Sequence, residues 1–239
     1  MKNAFIIFAT AFATLTAHIC VSQSFINLNC ESTTLAPDGA PGTVSTNAGV
    51  PGWTALIGGV PQSTILYNNG TLGASCVALL AGGTYSPNPV IDGNFSVMLV
   101  GGSGGDASLS QSGLIPSTAN SILFDAYSTT AGGGGGTNFL VSIGGQTIEM
   151  LPLINNGSYI VYGGNISSLA GQEASLQISS LSFFPQGGGF NVFVFDDVQF
   201  SSSQVPEPTT LGLLGLGSFL LSWHRRRISA QCSTPPNHL

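Results

Sequence analysis

Residues 174–184 read ASLQISSLSFF, and this stretch decides the fold class. Within it, the large aliphatic residues Leu176 and Ile178 alternate with small polar ones, which is the period-two pattern of a strand with one buried face. No stretch of helix length elsewhere shows a 3.6-residue apolar repeat. We therefore predict an all-β fold, a β-sandwich, over residues 25–200.

Similar β-prone runs recur on both sides of this stretch. The runs assigned as strands are NFSVMLV (94–100), ASLSQSGLI (107–115), SILFDAYS (121–128), TNFLVSIGG (137–145), QTIEML (146–151), GSYIVYGG (157–164) and FNVFVFDDVQF (190–200). The GG and NNG pairs between them favour hairpin turns, because glycine and asparagine accept positive φ at little cost. The glycine clusters at 101–105 and 131–136 are interpreted as loops, since no lysine follows them as in a phosphate-binding loop.

Charge is distributed unevenly along the 239 residues. The basic residues and histidines lie near the two ends, and they are Lys2, His18, His224, Arg225, Arg226, Arg227 and His238. All ten carboxylates lie between them, so residues 25–208 hold neither a cation nor an imidazole. This composition argues against nucleic acid as a partner, and it excludes histidine- and lysine-based catalysis within the body.

The N-terminal residues 1–24 have the layout of a secretory signal peptide. A single lysine precedes an apolar stretch at 4–17, and small and polar residues follow as far as Ser24. The apolar stretch is too short for a stable bilayer span. We expect export, with cleavage after Ser22 or Ser24.

The C-terminal region reads VPEPTTLGLLGLGSFLLSWHRRR over residues 205–227. Residues 209–223 are apolar apart from hydroxyls, and we predict that they form a transmembrane helix with a basic cytoplasmic tail at 224–239. Residues 201–208 form the predicted linker. Its two prolines keep the backbone extended, which presents Glu207 to a processing enzyme.

These features, in this order, resemble the PEP-CTERM sorting signal of Gram-negative bacteria. The resemblance implies that Pro206, Glu207 and Pro208 are the recognition motif and that Arg225, Arg226 and Arg227 are the stop signal. It also implies an exosortase as partner, with transient anchoring in the inner membrane before release to the cell surface or extracellular matrix. An ordinary anchor helix without processing is the alternative.

Export changes how the cysteines are interpreted. Cys20 belongs to the signal peptide and Cys232 to the tail, so Cys30 and Cys76 remain in the body. In an oxidising compartment we expect these two to form one disulfide. The alternative is a pair of buried free thiols.

The body itself resembles a galactose-binding-like jelly roll, with SFINLNCE (24–31) as its first strand and FVFDDVQF (193–200) as its last. In that fold the first and last strands lie near one another, which implies that Glu31 approaches Asp196 or Asp197. The resemblance implies a structural calcium held by these three carboxylates, and a hard cation would also relieve their repulsion. Alternatively, one aspartate accepts hydrogen bonds from backbone amides and the other faces water.

The same resemblance implies a carbohydrate-binding role, possible partners being the polysaccharides of the envelope. Trp53 is a candidate sugar platform, although a solitary large aromatic residue more often packs in the core. A carboxylate-dependent glycoside hydrolase is the rival class, and its candidate residues are Asp125, Glu149, Glu173, Asp196 and Asp197. We expect instead a non-catalytic exported protein of the envelope or exopolysaccharide matrix, or else a structural, self-associating coat protein without glycan specificity.

Overall fold

The structure is a computed structural model, and it describes residues 23–84, 86–131, 138–182 and 189–205. Most of the predicted signal peptide, the glycine run after Ala131, the PEP motif, the predicted transmembrane helix and the basic tail lie outside these residues. None of the helices in the described ranges is long and apolar enough to cross a bilayer.

The described residues form a sandwich of two sheets, as predicted. The strands are β1 (Gly42–Ser45), β2 (Thr54–Ile57), β3 (Val60–Gln62), β4 (Thr64–Tyr67), β5 (Cys76–Ala81), β6 (Phe95–Gly101), β7 (Ala107–Leu114), β8 (Ser121–Ala131), β9 (Phe139–Ile143), β10 (Gln146–Ile148), β11 (Leu151–Asn155), β12 (Ile160–Asn165), β13 (Glu173–Ser180) and β14 (Phe190–Ser201). A one-turn helix, α1 (Thr46–Gly49), follows β1, and a 3₁₀ turn spans Ser167–Leu169.

One sheet has eight strands in the order β1-β4-β5-β6-β14-β8-β12-β11, and the other has six in the order β10-β9-β13-β7-β2-β3. All neighbouring strands are antiparallel except the β4–β5 pair. The long strand β14 lies between β6 and β8 and so ties the middle of the larger sheet together. Antiparallel sheets commonly pack one face against the core and expose the other face to solvent.

The main core lies between the two sheets. Leu176 and Ile178 of β13 are both fully buried in it, so the alternation in residues 174–184 is confirmed. Phe124 of β8 is also fully buried, and its ring lies 5.7 Å from that of Phe139 and 5.9 Å from that of Tyr162. Edge-on and stacked ring contacts of this type add to the free energy gained from burial alone.

A second apolar cluster lies on the outer side of the eight-stranded sheet. It contains Cys76, Met98 and Val194, and the partly buried Val90 and Ile91 cover it. The loop that carries Val90 and Ile91 is held down because the Tyr127 hydroxyl donates a 2.8 Å hydrogen bond to the carbonyl of Pro89. As a result, β5 and β6 are buried on both faces.

The predicted glycine turn between β9 and β10 is present. Gly144 and Gly145 have φ values of +58° and +79°, which suits a two-residue hairpin whose twist matches that of the strands. The same geometry recurs at Gly58 and Gly59, between β2 and β3, with φ values of +56° and +79°.

The N-terminal part of the body differs from the prediction. Residues 25–31 form no strand: 25–27 are irregular, 28–31 form turns, and Ser24 makes an isolated bridge to Leu114. The Gln23 carbonyl also accepts a 2.9 Å hydrogen bond from the Leu114 amide. Of the two expected cleavage positions, the one after Ser22 preserves both contacts. The sandwich fits the resemblance to galactose-binding-like domains, and that finer assignment stays a prediction.

The segment before the PEP motif is attached to the sandwich rather than free. Strand β14 continues to Ser201, and the Asn120 side-chain amide donates to the Ser202 carbonyl at 2.6 Å. The Ser121 hydroxyl donates to the Ser203 carbonyl at 2.7 Å, and Val205 is only 6% exposed. The predicted linker at 201–208 is therefore docked on the body as far as Val205.

Candidate functional site

A group of acidic residues surrounds the point where β14 is interrupted. Asp196 of β14 lies opposite Asp125 of β8, and the register then shifts before Gln199. Asp197 occupies this bulge with a φ of +47°, a region that non-glycine residues adopt infrequently. The bulge places two consecutive carboxylates at one position of the sheet.

The Asp196 carboxylate is buried and satisfied within the protein. It accepts a 2.7 Å hydrogen bond from the Ser96 hydroxyl of β6 and another of 2.7 Å from the Asp197 amide. The Asp92 amide is a further donor, and the Cys30 thiol is hydrogen-bonded to the same side chain. With 1% exposure, the side chain has no room to contact a substrate.

Glu31 lies beside this group, as the resemblance implied. Its Oε1 accepts hydrogen bonds from the amides of Asn94 and Phe95, at 2.8 and 2.9 Å, and its Oε2 accepts from the Asn94 side chain at 3.3 Å. Glu31 therefore fixes the turn that leads into β6. Its charge acts on Asp196 and on Cys30.

Burial raises the pKa of Asp196 to about 7, and the charge of Glu31 adds to the rise. The hydrogen bonds from the Ser96 hydroxyl and from the amides of Asp197 and Asp92 act in the opposite direction, but they do not outweigh burial. The pKa of Asp125 is raised as well, first by burial and then by the charges of Asp197 and Asp92. The carboxylates of this cluster therefore repel one another, because residues 25–208 contain no positively charged side chain to pair with them.

The predicted calcium ligands do not form a metal site in this arrangement. Within the described residues, no group of three or more His, Cys, Asp or Glu side chains is placed to hold a metal ion. Glu31 and Asp196 use their oxygens to accept hydrogen bonds from amides and a hydroxyl, while Asp197 accepts one from the Gln199 side chain. The geometry corresponds to the alternative in which a buried aspartate binds backbone amides.

The predicted Cys30–Cys76 disulfide is also absent. Both residues are buried free thiols, with Cys30 in the main core and Cys76 in the outer cluster. Cys30 bonds to Asp196, whose partner Ser96 lies opposite Leu80 of β5. Cys76 is four residues further along β5, or roughly 13 Å, whereas a disulfide requires Cα atoms within about 7 Å.

We expect both thiols to resist alkylation at pH 8 in the folded protein and to react once it is unfolded. Burial raises the pKa of each thiol, and for Cys30 the charges of Asp196, Glu31 and Asp197 raise it further. Because the thiolate is the reactive form, both residues are protected. Peptide mapping after alkylation with and without guanidinium measures this, and a Cys30–Cys76 linked peptide under non-reducing conditions would contradict the structure.

Three of the aromatic residues that could have served as a sugar platform are buried. Trp53 is 5% exposed, and its indole N–H donates a 2.9 Å hydrogen bond to the Asn27 carbonyl, so it is a packing residue. Tyr67 is equally buried and donates to the Ala36 carbonyl. Tyr162 belongs to the core.

The outward side of the six-stranded sheet carries many hydroxyl and amide groups on β2, β7 and β13, and the same side also includes Leu56, Leu114 and Glu173. We call this surface the serine face, and it consists of Thr54, Ser108, Ser110, Ser112, Ser175, Gln177 and Ser179. Cross-strand hydroxyl pairs join Ser108 to Ser179 at 2.9 Å and Ser110 to Ser175 at 3.0 Å. A groove of about 290 Å³ lies at one end of this face, beside Thr54, Ser110 and Ser112. Ser108 and Ser179 are buried, whereas Ser112 and Ser175 are exposed, and Glu173 is the charged residue that alternation places on the same side of β13.

Sequence reasoning identified the approach of Glu31 to Asp196 but not the groups that satisfy them. Ser96 and the amides of Asp92, Asn94 and Phe95 come from one loop and the start of β6. No local motif marks these donors in the sequence. Part of the serine face, in contrast, corresponds to the polar positions of the alternation already noted in β13.

Comparison with known proteins bears on the C-terminal end. Residues 204–227 match the family described as the PEP-CTERM protein-sorting motif, and the match begins one residue before the docked Val205. No curated protein matches the chain. The chain is therefore an exported β-sandwich protein that carries a C-terminal PEP-CTERM sorting motif, the signal that directs processing by an exosortase at the membrane.

Proposed function

We propose that this protein is a non-catalytic structural component of the cell envelope or of its exopolysaccharide matrix, and that its serine face contacts neutral polysaccharide. The observation that supports this most is the serine face itself, whose accessible part consists of uncharged hydrogen-bonding groups, namely Thr54, Ser110, Ser112, Ser175 and Gln177. Such a surface offers many weak contacts to sugar hydroxyls. It lacks the aromatic platform and the deep polar site on which a sugar-specific pocket depends.

The state of the carboxylates supports a non-catalytic role. A glycoside hydrolase needs two carboxyl groups that reach the same glycosidic bond from a cleft. Asp196 has the raised pKa that suits a general acid, but it is buried and its oxygens are occupied by internal donors. Its perturbed pKa is explained by a structural role.

The proposal is tested by retention of the purified protein on a panel of immobilised neutral polysaccharides, with calcium and with EDTA. We expect weak retention that Ser175→Arg reduces at least threefold, because Ser175 is exposed within the serine face. Ser158→Arg, at an exposed position before β12, is the matched control and should leave retention unchanged.

The other outcomes are equally informative. Absence of retention on every polysaccharide would contradict the contact with the matrix and favour a self-associating coat protein. Release of new reducing ends from any of them would overturn the non-catalytic assignment. Retention that requires calcium would indicate that a bound calcium ion takes part in polysaccharide binding.

A further inference from the structure

Val205, the last residue that the structure describes, packs against apolar side chains at the surface of the sandwich. A Cβ atom placed on Gly163 of β12 would lie 2.5 Å from Leu153 Cδ1, 2.8 Å from Leu123 Cδ2 and 2.9 Å from Val205 Cγ2. Three aliphatic side chains from β11, β8 and the docked segment therefore meet over this glycine. The absence of a side chain at 163 is what allows Val205 to settle there.

The neighbouring strand β11 exposes large aliphatic side chains. Leu153 is 39% exposed and Ile154 is 56% exposed, although β11 is the terminal strand of the eight-stranded sheet. Its sequence, LPLIN, contains no charged residue. We call Leu153, Ile154 and the adjoining Val205 the β11 patch.

The interior at this edge is also apolar. A cavity of about 310 Å³ lies between the two sheets where β10 and β11 are the terminal strands. Ile148, Met150 and Tyr162 are among the residues that line it. The β11 patch is thus the outer part of a wider apolar edge.

The length of chain that follows fixes where this patch can be. Only residues 206–208 separate Val205 from the apolar run that begins at Thr209. Four residue steps span at most about 14 Å even when fully extended. The headgroup region on each side of a bilayer is itself about 5–8 Å thick, so a chain held in the membrane by residues 209–223 keeps Val205 close to the lipid surface.

We propose that the β11 patch rests on the lipid bilayer surface while the protein is held there by residues 209–223. This inference rests on the membrane-held precursor that the sorting motif implies before processing. Leu153 and Ile154 would enter the boundary between headgroups and acyl chains, as the apolar side of an interfacial segment does. Because the body is acidic, uncharged or zwitterionic lipids suit the contact better than anionic ones.

The test uses the full-length chain reconstituted in phosphatidylcholine vesicles that contain a nitroxide-labelled lipid. A fluorophore is attached at Ile154→Cys in a background with Cys20→Ser and Cys232→Ser, since the buried Cys30 and Cys76 should not react. Val60→Cys is the matched control, because Val60 is 61% exposed on β3, the terminal strand at the other end of the six-stranded sheet. Leu216→Cys reports insertion of residues 209–223.

We expect the lipid nitroxide to quench the labels at 154 and 216 by at least twofold and to leave the label at 60 unchanged. Quenching at 216 alone would overturn the β11 contact while leaving membrane anchoring intact. Lack of quenching at 216 would instead contradict the membrane-held precursor, and would overturn the inference while leaving the proposed polysaccharide contact untouched. A label at 154 that is shielded from lipid nitroxide and from aqueous iodide alike would indicate a second copy of the chain on β11, and would also overturn the inference.

Discussion

Replacing Glu207 with alanine should leave export intact and trap the unprocessed chain in the membrane. Glu207 is the charged residue of the motif, and it follows the docked Val205 by two positions. Hydrogen bonds to a charged group contribute about 1.5–3 kcal/mol, so its loss should slow processing roughly ten- to hundredfold. Pulse-chase labelling with separation of membrane and released fractions measures this effect.

Two further variants show whether a processing defect comes from the charge of Glu207, from its shape, or from the loss of any carboxylate. Glu207→Gln keeps the shape of the side chain and removes its charge, so a defect equal to that of Glu207→Ala would assign recognition to the charge. Glu173→Ala removes an exposed carboxylate of the body and should be processed normally. Equal gel mobility and localisation of Glu207→Ala and the parent would show that the motif is not used.

The second large effect concerns pH. We expect the free energy of unfolding to increase by about 2 to 3 kcal/mol between pH 8 and pH 5, because the pKa of Asp196 is raised from 3.8 to about 7 in the folded protein. The folded state then binds a proton that the unfolded state does not. This contribution is fully present below pH 3.8 and is lost as the pH rises through 7. Asp125, whose pKa is also raised, acts in the same direction.

Urea unfolding of the parent and of Asp196→Asn at several pH values tests this prediction. The variant cannot take up a proton at position 196, so most of the slope between pH 5 and pH 8 should disappear. Ser96 can still bond to the amide, which preserves the local packing. If the free energy of unfolding of the parent is constant over this range, burial does not raise the pKa of Asp196 in the folded protein.

Much of the fold could be predicted because many strands have one buried and one polar face. Leu176 and Ile178 show this alternation, and all eight predicted runs coincide with strands. Strand β5 was missed because CVALLA is buried on both faces, and a continuous apolar run has no period. The short strands β1 to β4 contain too few residues to show one.

The predictions about the cysteine pair and the carboxylate cluster share one physical difficulty. Whether Cys30 can bond to Cys76, or whether Glu31 and Asp196 need a cation, depends on which groups the tertiary fold brings between them. The donors at Ser96 and Asp92 are a hundred or more residues away from Asp196 in the sequence. Likewise, SSSQV has the composition of a linker, and nothing local shows that Gly163 leaves room for Val205.

The docking of Val205 also bears on the fate of the protein after it leaves the membrane. If an exosortase cuts beyond this residue, the new carboxyl terminus lies directly against the sandwich, with its carbonyls already bound by Asn120 and Ser121. Chain ends that are not tied down are preferred sites of proteolysis, and this end is held by two hydrogen bonds and a buried side chain. We therefore expect the mature C-terminus to resist carboxypeptidase digestion.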